Sequence, residues 1–369
     1  MMKVKRITII GLGLIGGSLG MALKKKLPEL KVCGVDLSAE VVRMAVEIGA
    51  IDDGTVQIEQ GVAAAEIIFL ATPVPEMRQL CAKMVPYLAQ GTIVTDMGST
   101  KEKIVELMER SLPVGVTFLG GHPMAGSEKA GIQEAHVDLL ENAVYLLTPT
   151  TKTPIEVIDM VRSILERLGA RIILLSPAEH DRKVAAISHL PHFLASALVD
   201  TVGFLEEKEG GFFSLAAGGF RDTTRIAGSQ SGMWCDIFLQ NKRALLPLLK
   251  EFQHILAGYE AALETEDSSL LTEKLEQAKK WRESVPAGLK GILPQIFELT
   301  VMVPDQPGVL AELTGLLREE GLNISDIEIQ RVREENEGTI RLGFVNKESC
   351  ERANQVLQSR GYLVYKTGL

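Results

Sequence analysis

The sequence lacks the features that mark secreted, membrane-spanning and nucleic-acid-binding chains. It has only four cysteines, Cys33, Cys81, Cys235 and Cys350, with no C-x-x-C pair, which disfavours a disulfide framework and fits reduced thiols. It has no apolar run of the roughly 18 residues that a membrane span needs, and no cleavable signal pattern. Basic residues number 39 against 48 acidic ones, and the net charge of −9 disfavours nucleic acid as a partner. We therefore expect a soluble cytoplasmic protein.

The first half of the sequence alternates short apolar runs with amphipathic stretches. We predict strands at Arg6–Ile10, Lys31–Asp36, Glu66–Ala71, Thr92–Asp96, Val116–Leu119, Val144–Thr148 and Arg171–Leu175. Helical periodicity separates most of these strands, which predicts βαβ units and an α/β domain with a doubly wound, largely parallel sheet. We place this domain at residues 1–176.

The strand pattern disappears after this domain and long helical periods replace it. In Trp234–Leu263, apolar residues recur three, four or seven positions apart. We predict an all-helical domain at residues 177–291, whose large apolar surface favours a homodimer. Pro191 and Pro247 are expected to kink their helices.

A segment rich in proline and glycine, Pro286–Pro294, predicts a linker to a third domain at residues 296–369. The predicted strands there are Phe297–Val303, Ile324–Val332, Thr339–Val345 and Tyr362–Lys366, and the predicted helices are Pro307–Glu320 and Glu348–Arg360. Their βαββαβ order is typical of a ferredoxin-like sandwich.

The first strand runs into the sequence ITIIGLGLIGGSLG, which places a glycine triplet between a strand and a helix. In a G-x-G-x-x-G loop, the first glycine permits a tight turn, the second lets backbone approach a pyrophosphate, and the third allows close helix–strand packing. Gly11, Gly13 and Gly16 occupy these places, with Leu14 and Ile15 between them. The loop therefore predicts a dinucleotide site on a Rossmann-type sheet.

A carboxylate follows at the end of the second predicted strand. Asp36 could accept hydrogen bonds from an adenosine ribose and would repel a 2′-phosphate, so we expect NAD rather than NADP. A flavin site, or a simple turn beside a helix-capping aspartate, would use the same residues. Thr72 and Pro73, after the third predicted strand, are candidates for lining the nicotinamide side.

The stretch GGHPMAGSE carries a histidine beside a proline, just after a predicted strand. Oxidation of an alcohol-like carbon by NAD needs a group that takes the hydroxyl proton, and a neutral imidazole, with a reference pKa of about 6.5, suits that role. We predict His122 as this base; a structural loop histidine is the alternative. Ser99 should reach the same sheet edge and hydrogen-bond the imidazole or the cofactor, although it could also cap the next helix.

Two polar clusters interrupt the predicted helical domain. FRDTTRIA places Arg221 and Arg225 four residues apart on one helical face, which suits a dicarboxylate because guanidinium binds carboxylate bidentately. An ion pair with a carboxylate such as Glu128 would use the same arginines. SHLPH contains His189 and His192, but two histidines without a suitably spaced carboxylate make a poor metal site, so we predict no metal.

Taken in order, the glycine loop, GGHPMAGSE, SHLPH and FRDTTRIA resemble the prephenate dehydrogenase family, and the resemblance covers the whole chain. The C-terminal domain resembles an ACT domain, a regulatory module. The family reaction is the NAD-dependent oxidative decarboxylation of prephenate to 4-hydroxyphenylpyruvate in tyrosine biosynthesis. The resemblance therefore implies this activity, an NAD cofactor, prephenate as substrate and a helical dimerisation domain.

The resemblance also implies roles for single residues. His122 would withdraw the proton of the ring hydroxyl, and Ser99 would orient His122 and touch the nicotinamide. Arg225 matches an arginine that binds a substrate carboxylate, and Glu128 matches an acidic partner near it. Other matched residues of the substrate pocket are His192, Gly218 and Arg221. Because some relatives have lysine in place of Arg221, the way a second carboxylate is held stays open.

In the ACT-like domain, backbone amides at a helix N-terminus beside a glycine turn could receive an amino-acid carboxylate. Related modules bind small amino acids there, so the resemblance implies tyrosine as a feedback effector. The candidate effector residues are Asp305, Pro307, Gly308, Asn323 and Ile324. A turn and helix cap without a ligand would need the same residue types.

Two alternatives stay open. One keeps the chemistry but takes arogenate, which carries an amine in place of the side-chain ketone of prephenate. The other is a non-catalytic regulator that responds to NAD or an amino acid. The presence of His122, Ser99 and Arg225 argues against a regulator, because a sensor needs no base beside the nicotinamide.

Overall fold

The structure is a computed structural model that describes residues 4–126, 130–285, 297–304, 306–330 and 337–367. The chain divides into two compact units, residues 1–285 and 286–369. The predicted linker at residues 286–294 lies outside the described residues. Within the described part of the chain, no helix has the length and apolar character needed to cross a membrane.

The first unit begins with a sheet of eight strands. They are β1 (Arg6–Ile10), β2 (Lys31–Val35), β3 (Asp53–Thr55), β4 (Ile67–Leu70), β5 (Ile93–Asp96), β6 (Thr117–Pro123), β7 (Val144–Thr148) and β8 (Arg171–Leu174). Their spatial order is β3-β2-β1-β4-β5-β6-β7-β8, and only the β6–β7 pair among these neighbours is antiparallel. The predicted doubly wound parallel sheet is confirmed, with β3 as an eighth strand that was not predicted.

Helices cover both faces of this sheet. They are α1 (Leu14–Lys26), α2 (Ala39–Glu47), α3 (Ile58–Val62), α4 (Met77–Met84), α5 (Glu102–Ser111) and α6 (Ile155–Arg167). One apolar core joins α1, α2 and α6 to one face, and a second joins α4 and α5 to the other. Strands buried on both faces explain the continuous apolar runs of the sequence.

The rest of the first unit is helical, as predicted. Its helices are α7 (Pro177–Val184), α8 (Leu190–Glu209), α9 (Gly218–Thr224), α10 (Ser231–Gln240), α11 (Lys242–Glu264) and α12 (Ser268–Ser284). A π-helical turn at Ala185–His189 joins α7 to α8 just before Pro191, where a regular helix would lose a hydrogen bond to proline. Pro247 lies inside α11, which continues past it.

The helical pattern predicted over Trp234–Leu263 is interrupted once in the structure. Two helices, α10 and α11, meet at Asn241, whose side chain is buried and makes tertiary hydrogen bonds. The apolar spacing continues across this break, so the pattern alone gave no signal of it.

The second unit has the predicted βαββαβ order. Its elements are β9 (Phe297–Pro304), α13 (Val309–Glu319), β10 (Asp326–Gln330), β11 (Glu337–Phe344), α14 (Lys347–Ser359) and β12 (Leu363–Thr367). The antiparallel sheet has the order β10-β11-β9-β12, and its apolar face packs on α13 and α14. This is the ferredoxin-like sandwich that the sequence predicts.

Candidate active site

The glycine loop has the shape that a dinucleotide needs. Gly11 has φ +92°, and its amide donates to the carbonyl of Val35 over 2.8 Å. A Cβ at Gly16 would lie 1.9 Å from the carbonyl oxygen of Gly11, so only glycine fits there. A Cβ at Gly13 would meet no atom within 4 Å, which leaves open space at the start of α1. That helix has no side-chain cap and no acidic residue in its first turn, so its free amides can face a phosphate.

The carboxylate of Asp36 is held beside this loop. One oxygen accepts from the amide of Leu12 over 2.9 Å, and the other accepts from the amide of Ser38 over 3.0 Å. A carboxylate offers about four acceptor positions, so two remain for hydroxyl groups. These residues fit the adenosine end of a dinucleotide.

A cleft of about 420 Å³ joins the sheet to the helical half of the first unit. From the sheet side it is lined by Ile15, residues 71–75 and residues 97–100, and from the helical side by Gln230, Gly232, Met233, Asp236, Ile237 and Gln240. The lining includes the predicted residues Thr72, Pro73 and Ser99. The buried hydroxyl oxygen of Thr72 has no hydrogen-bond partner within the described protein, so it is available to a ligand.

The start of α5 is capped from another helix. The carboxylate of Asp181, in α7, accepts from the amide of Lys101 over 2.7 Å and from the amide of Glu102 over 2.9 Å. Ser99 precedes these amides and lines the cleft. Because Asp181 supplies the cap, the capping explanation of Ser99 is not needed.

His122 lies on β6 and belongs to a chain of three side chains. Its Nδ1 is 2.9 Å from Nε2 of His180, and Nδ1 of His180 is 2.8 Å from a carboxylate oxygen of Asp181. His122 is 8% exposed, and His180 is fully buried. With Nδ1 engaged by His180, Nε2 is the ring atom of His122 that can serve a substrate.

The peptide before His122 is held on both sides by a buried ion pair. The carboxylate of Asp96 accepts from the amide of Gly121 over 3.1 Å, and the ammonium of Lys101 donates to the carbonyl of Gly121 over 2.7 Å. Lys101 and Asp96 also bond to each other, and both are fully buried. The pair therefore fixes the backbone from which His122 projects.

Burial sets the protonation of this cluster. Burial lowers the pKa of His122 well below 6.5, and the nearby His180, Lys101 and His189 lower it further. Burial also lowers the pKa of His180, against the effect of Asp181. Burial would raise the pKa of Asp181, but hydrogen bonds from His180 and two backbone amides lower it overall. At neutral pH the two imidazoles are thus neutral and Asp181 is ionised.

The histidines of SHLPH lie next to this cluster on the helical side. The side-chain amide nitrogen of Asn241 donates to the backbone carbonyl of Asp181 over 2.8 Å. The same nitrogen lies 3.1 Å from Nδ1 of His189. Burial lowers the pKa of His189 to about 4. The ring of His192 lies 3.7 Å from that of Trp234, centroid to centroid, and both of its nitrogens are buried without a partner in the described protein. His192 can therefore both donate to and accept from a ligand.

His122 and the described substrate residues that were predicted are not among the residues that line the cleft: His192, Gly218, Arg221 and Arg225. Gly218 and Arg221 are on α9 and are exposed. The α-helix ends at Thr224 and Arg225 begins a 3₁₀ turn, so the two arginines do not share one regular helical face as predicted. Arg225 is exposed and takes part in an interaction within the protein. Glu128 lies outside the described residues.

Two of the candidate effector residues line a cavity of the second unit. Asn323 and Ile324 line a shallow cavity of about 400 Å³ beside the end of α13, with Thr314 and Arg318. Pro307 and Gly308 precede the other end of this helix, which is about 16 Å long by its rise per residue. Asp305 lies outside the described residues.

Four residues of the His122 cluster were not predicted to take part in the site: Asp96, Lys101, His180 and Asp181. Asp96 and Lys101 flank the segment that contains Ser99. Full burial of a lysine is rare, and the sequence alone gave no sign of it here. The adjacent His180 and Asp181 open a helix 58 residues beyond His122, and nothing local in the sequence joins them to it. Among the described residues, no group of three or more His, Cys, Asp or Glu could hold a metal ion.

Family models match nearly all of this architecture. Residues 19–174 match the nucleotide-binding domain of prephenate dehydrogenase, residues 176–277 match its dimerization domain, and residues 297–358 match the ACT domain. The chain is 38% identical over 355 residues to a prephenate dehydrogenase of Bacillus subtilis, covering 96% of each sequence.

Solved structures agree with this match. The prephenate dehydrogenase of Aquifex aeolicus, in complex with hydroxyphenyl propionate and NAD+, is 34% identical with a TM-score of 0.73, over 77% of this chain and 99% of that one. A Synechocystis arogenate dehydrogenase is also 34% identical, with a TM-score of 0.68, over 76% of this chain and all of that one. The cleft, the glycine loop and the sequence matches lead to one conclusion: this chain belongs to the prephenate dehydrogenase family.

Proposed function

We propose that the protein catalyses the NAD-dependent oxidative decarboxylation of prephenate to 4-hydroxyphenylpyruvate. The observation that carries the proposal is the buried, neutral His122, fixed through Nδ1 and the Gly121 peptide at the sheet edge next to the Ser99 loop. Membership of the family supplies the substrate class, and the glycine loop with Asp36 supplies a fitting place for NAD.

Bound at the glycine loop and Asp36, NAD would supply the acceptor for the hydride that leaves the ring carbon carrying the hydroxyl group. His122 takes the hydroxyl proton at Nε2, and the electron pair of the bond to the ring carboxylate stays in the ring. Carbon dioxide leaves, the ring becomes aromatic as a phenolate, and His122 returns the proton to the ring oxygen, so atoms and charge balance. Ser99 orients the imidazole and the nicotinamide, and His192 and Arg225 hold the polar groups of the substrate.

Arogenate is the second candidate substrate, because the chain is as similar in identity to the Synechocystis arogenate dehydrogenase as to the Aquifex prephenate dehydrogenase. The B. subtilis relative covers almost the whole chain, including the ACT domain, and is named for prephenate, so we favour prephenate.

The test is a steady-state assay of the full chain with NAD+ and each substrate in turn. We expect prephenate to give NADH and carbon dioxide in equal amounts, with kcat/KM at least tenfold above that for arogenate. NADH formation with arogenate alone would contradict the choice of substrate. No NADH with either would contradict the proposed activity.

We further propose a cytoplasmic homodimer that tyrosine inhibits through the ACT domain. Exposed apolar side chains on the helical half support dimerisation, among them Phe204, Leu246, Leu256 and Leu263. All four cysteines are free thiols, which suits a reducing compartment. In the same assay, added tyrosine should lower the rate, and Asn323→Ala should weaken that inhibition; equal rates with and without tyrosine would contradict feedback.

A further inference from the structure

The histidine behind His122 has no role in the reaction as proposed so far. His180 is fully buried between two partners, with Nε2 facing His122 and Nδ1 facing Asp181. The two imidazole rings are tilted by 56° with centroids 5.1 Å apart, so they meet through their nitrogens rather than by stacking. A buried imidazole bonded at both nitrogens transmits the hydrogen-bonding state of one partner to the other.

The ionised carboxylate of Asp181 determines which ring nitrogens of His180 and His122 carry a proton. Its oxygens already accept two backbone amides, and an ionised carboxylate can only accept, so Nδ1 of His180 must carry a proton. A neutral His180 then has a lone pair at Nε2, and Nδ1 of His122 must carry the proton between the two rings. Nε2 of His122 is left with a lone pair, which is the form that a base requires.

The charges around the two rings favour the same arrangement. The charged groups that face them are Asp96 and Lys101 below the Gly121 peptide, and Asp181 on α7. Two further titratable groups lie nearby and are neutral: burial lowers the pKa of His189 to about 4, and burial raises the pKa of Tyr145 well above its ordinary value. Asp181 and, more weakly, Asp96 raise the pKa of His180, whereas burial and Lys101 lower it.

We infer that His180, oriented by Asp181, is a positioning residue that fixes His122 in the tautomer with a free Nε2 and stabilises the imidazolium formed during turnover. When His122 takes the substrate proton at Nε2, its Nδ1–H stays hydrogen-bonded to Nε2 of His180, and Nδ1–H of His180 stays hydrogen-bonded to the ionised carboxylate of Asp181, which stabilises the positive charge. No proton needs to leave the chain during the hydride transfer. This inference rests on the proposed function, because it assigns His122 the role of base.

Two variants separate this role from simple packing. His180→Gln can place its amide oxygen where Nε2 lies and still accept from His122, whereas His180→Phe fills the space but accepts nothing. For His180→Phe we expect kcat about 100-fold lower, with the KM for prephenate and the Kd for NAD within about twofold of wild type. The kcat of His180→Gln should be at least tenfold higher than that of His180→Phe.

The pH dependence gives a readout that packing alone would not move. A charged His180 would lower the pKa of His122, but the neutral His180 of the resting chain carries no charge and accepts a hydrogen bond that favours charged His122. Losing this bond should therefore lower the pKa of His122 and move the acid limb of kcat/KM in His180→Phe to lower pH. Suppose that the wild-type protein is active and that His180→Phe keeps both the wild-type acid limb and a kcat within threefold of wild type. That result would overturn the inference. Inactive wild type would instead overturn the proposed function.

A measurement on the wild-type protein avoids any folding defect of the variants. ¹⁵N NMR of histidine-labelled protein at neutral pH, assigned by comparison with His122→Asn, reports which ring nitrogen carries the proton. We expect His122 to be protonated at Nδ1 and bare at Nε2. The opposite tautomer would overturn the inference.

Discussion

Replacing His122 by asparagine should lower kcat about 1,000-fold, because a positioned general base contributes about 100- to 10,000-fold to proton transfer. Asparagine can keep one hydrogen bond to His180, since its amide lies where Nδ1 lies, but it cannot take the hydroxyl proton. The glycine loop and Asp36 follow β1 and β2, away from His122 on β6, so the affinity for NAD should stay within about twofold of wild type. Stopped-flow or steady-state NADH formation measures the first effect, and calorimetric titration with NAD+ measures the second.

The matched control for this variant is His254→Asn, which changes an exposed histidine on α11. We expect it to have wild-type kinetics. If His122→Asn kept a kcat within tenfold of wild type, the imidazole could not be the base. If it lost NAD binding and turnover together, the damage would lie in the fold rather than in the chemistry.

Replacing Arg225 by alanine should raise the KM for prephenate about 100-fold and leave kcat within about threefold of wild type. A charge-assisted hydrogen-bonded pair between guanidinium and carboxylate contributes about 3 kcal/mol, and 1.4 kcal/mol corresponds to tenfold in affinity. Arg225→Lys keeps the positive charge but cannot form a bidentate contact with a carboxylate. Its KM should therefore lie between those of wild type and Arg225→Ala. Steady-state kinetics at saturating NAD+ measures each value.

Arg243→Ala is the control, because Arg243 is an exposed arginine on α11 whose ion pair with Glu102 is worth little at the surface. Arg225 also takes part in an interaction within the protein, so thermal unfolding of each variant accompanies the kinetics. A defect confined to NAD affinity, or a loss of kcat without a change in KM, would contradict the assigned role of Arg225.

The fold was largely predictable because its elements have strong local signals. Parallel strands buried on both faces read as apolar runs, and the glycine loop marks the turn from β1 to α1. The strand β3 was missed because Asp53, Gly54 and Thr55 are three residues with no apolar side chain, at the edge of the sheet. The break at Asn241 was missed because its cause is a pair of tertiary hydrogen bonds.

The candidate site was predictable only in part, for a related reason. Ser99 follows β5, whereas His122 lies within the last residues of β6 and not in a loop after the strand as predicted, because Gly120–Pro123 pair with β7. Both are at the carboxyl ends of neighbouring strands, and this position follows from topology. The partnership of His122 with His180 and Asp181 depends instead on how α7 packs against the sheet. Likewise, the carboxylate of Asp181 caps the start of α5, so Ser99 is not needed as the cap that the sequence offered as its alternative role.

The central claim is that a neutral, buried His122 acts as the base, and the pH dependence of kcat/KM for prephenate in the wild-type protein tests it most directly. Burial lowers the pKa of His122 well below 6.5, so the imidazole stays unprotonated, and competent, as the pH falls through the ordinary histidine range. The rate should therefore hold its plateau down to pH 6.5 and decline only at lower pH, with circular dichroism confirming that the protein is still folded. An acid limb centred at or above 6.5, in folded protein, would contradict the claim.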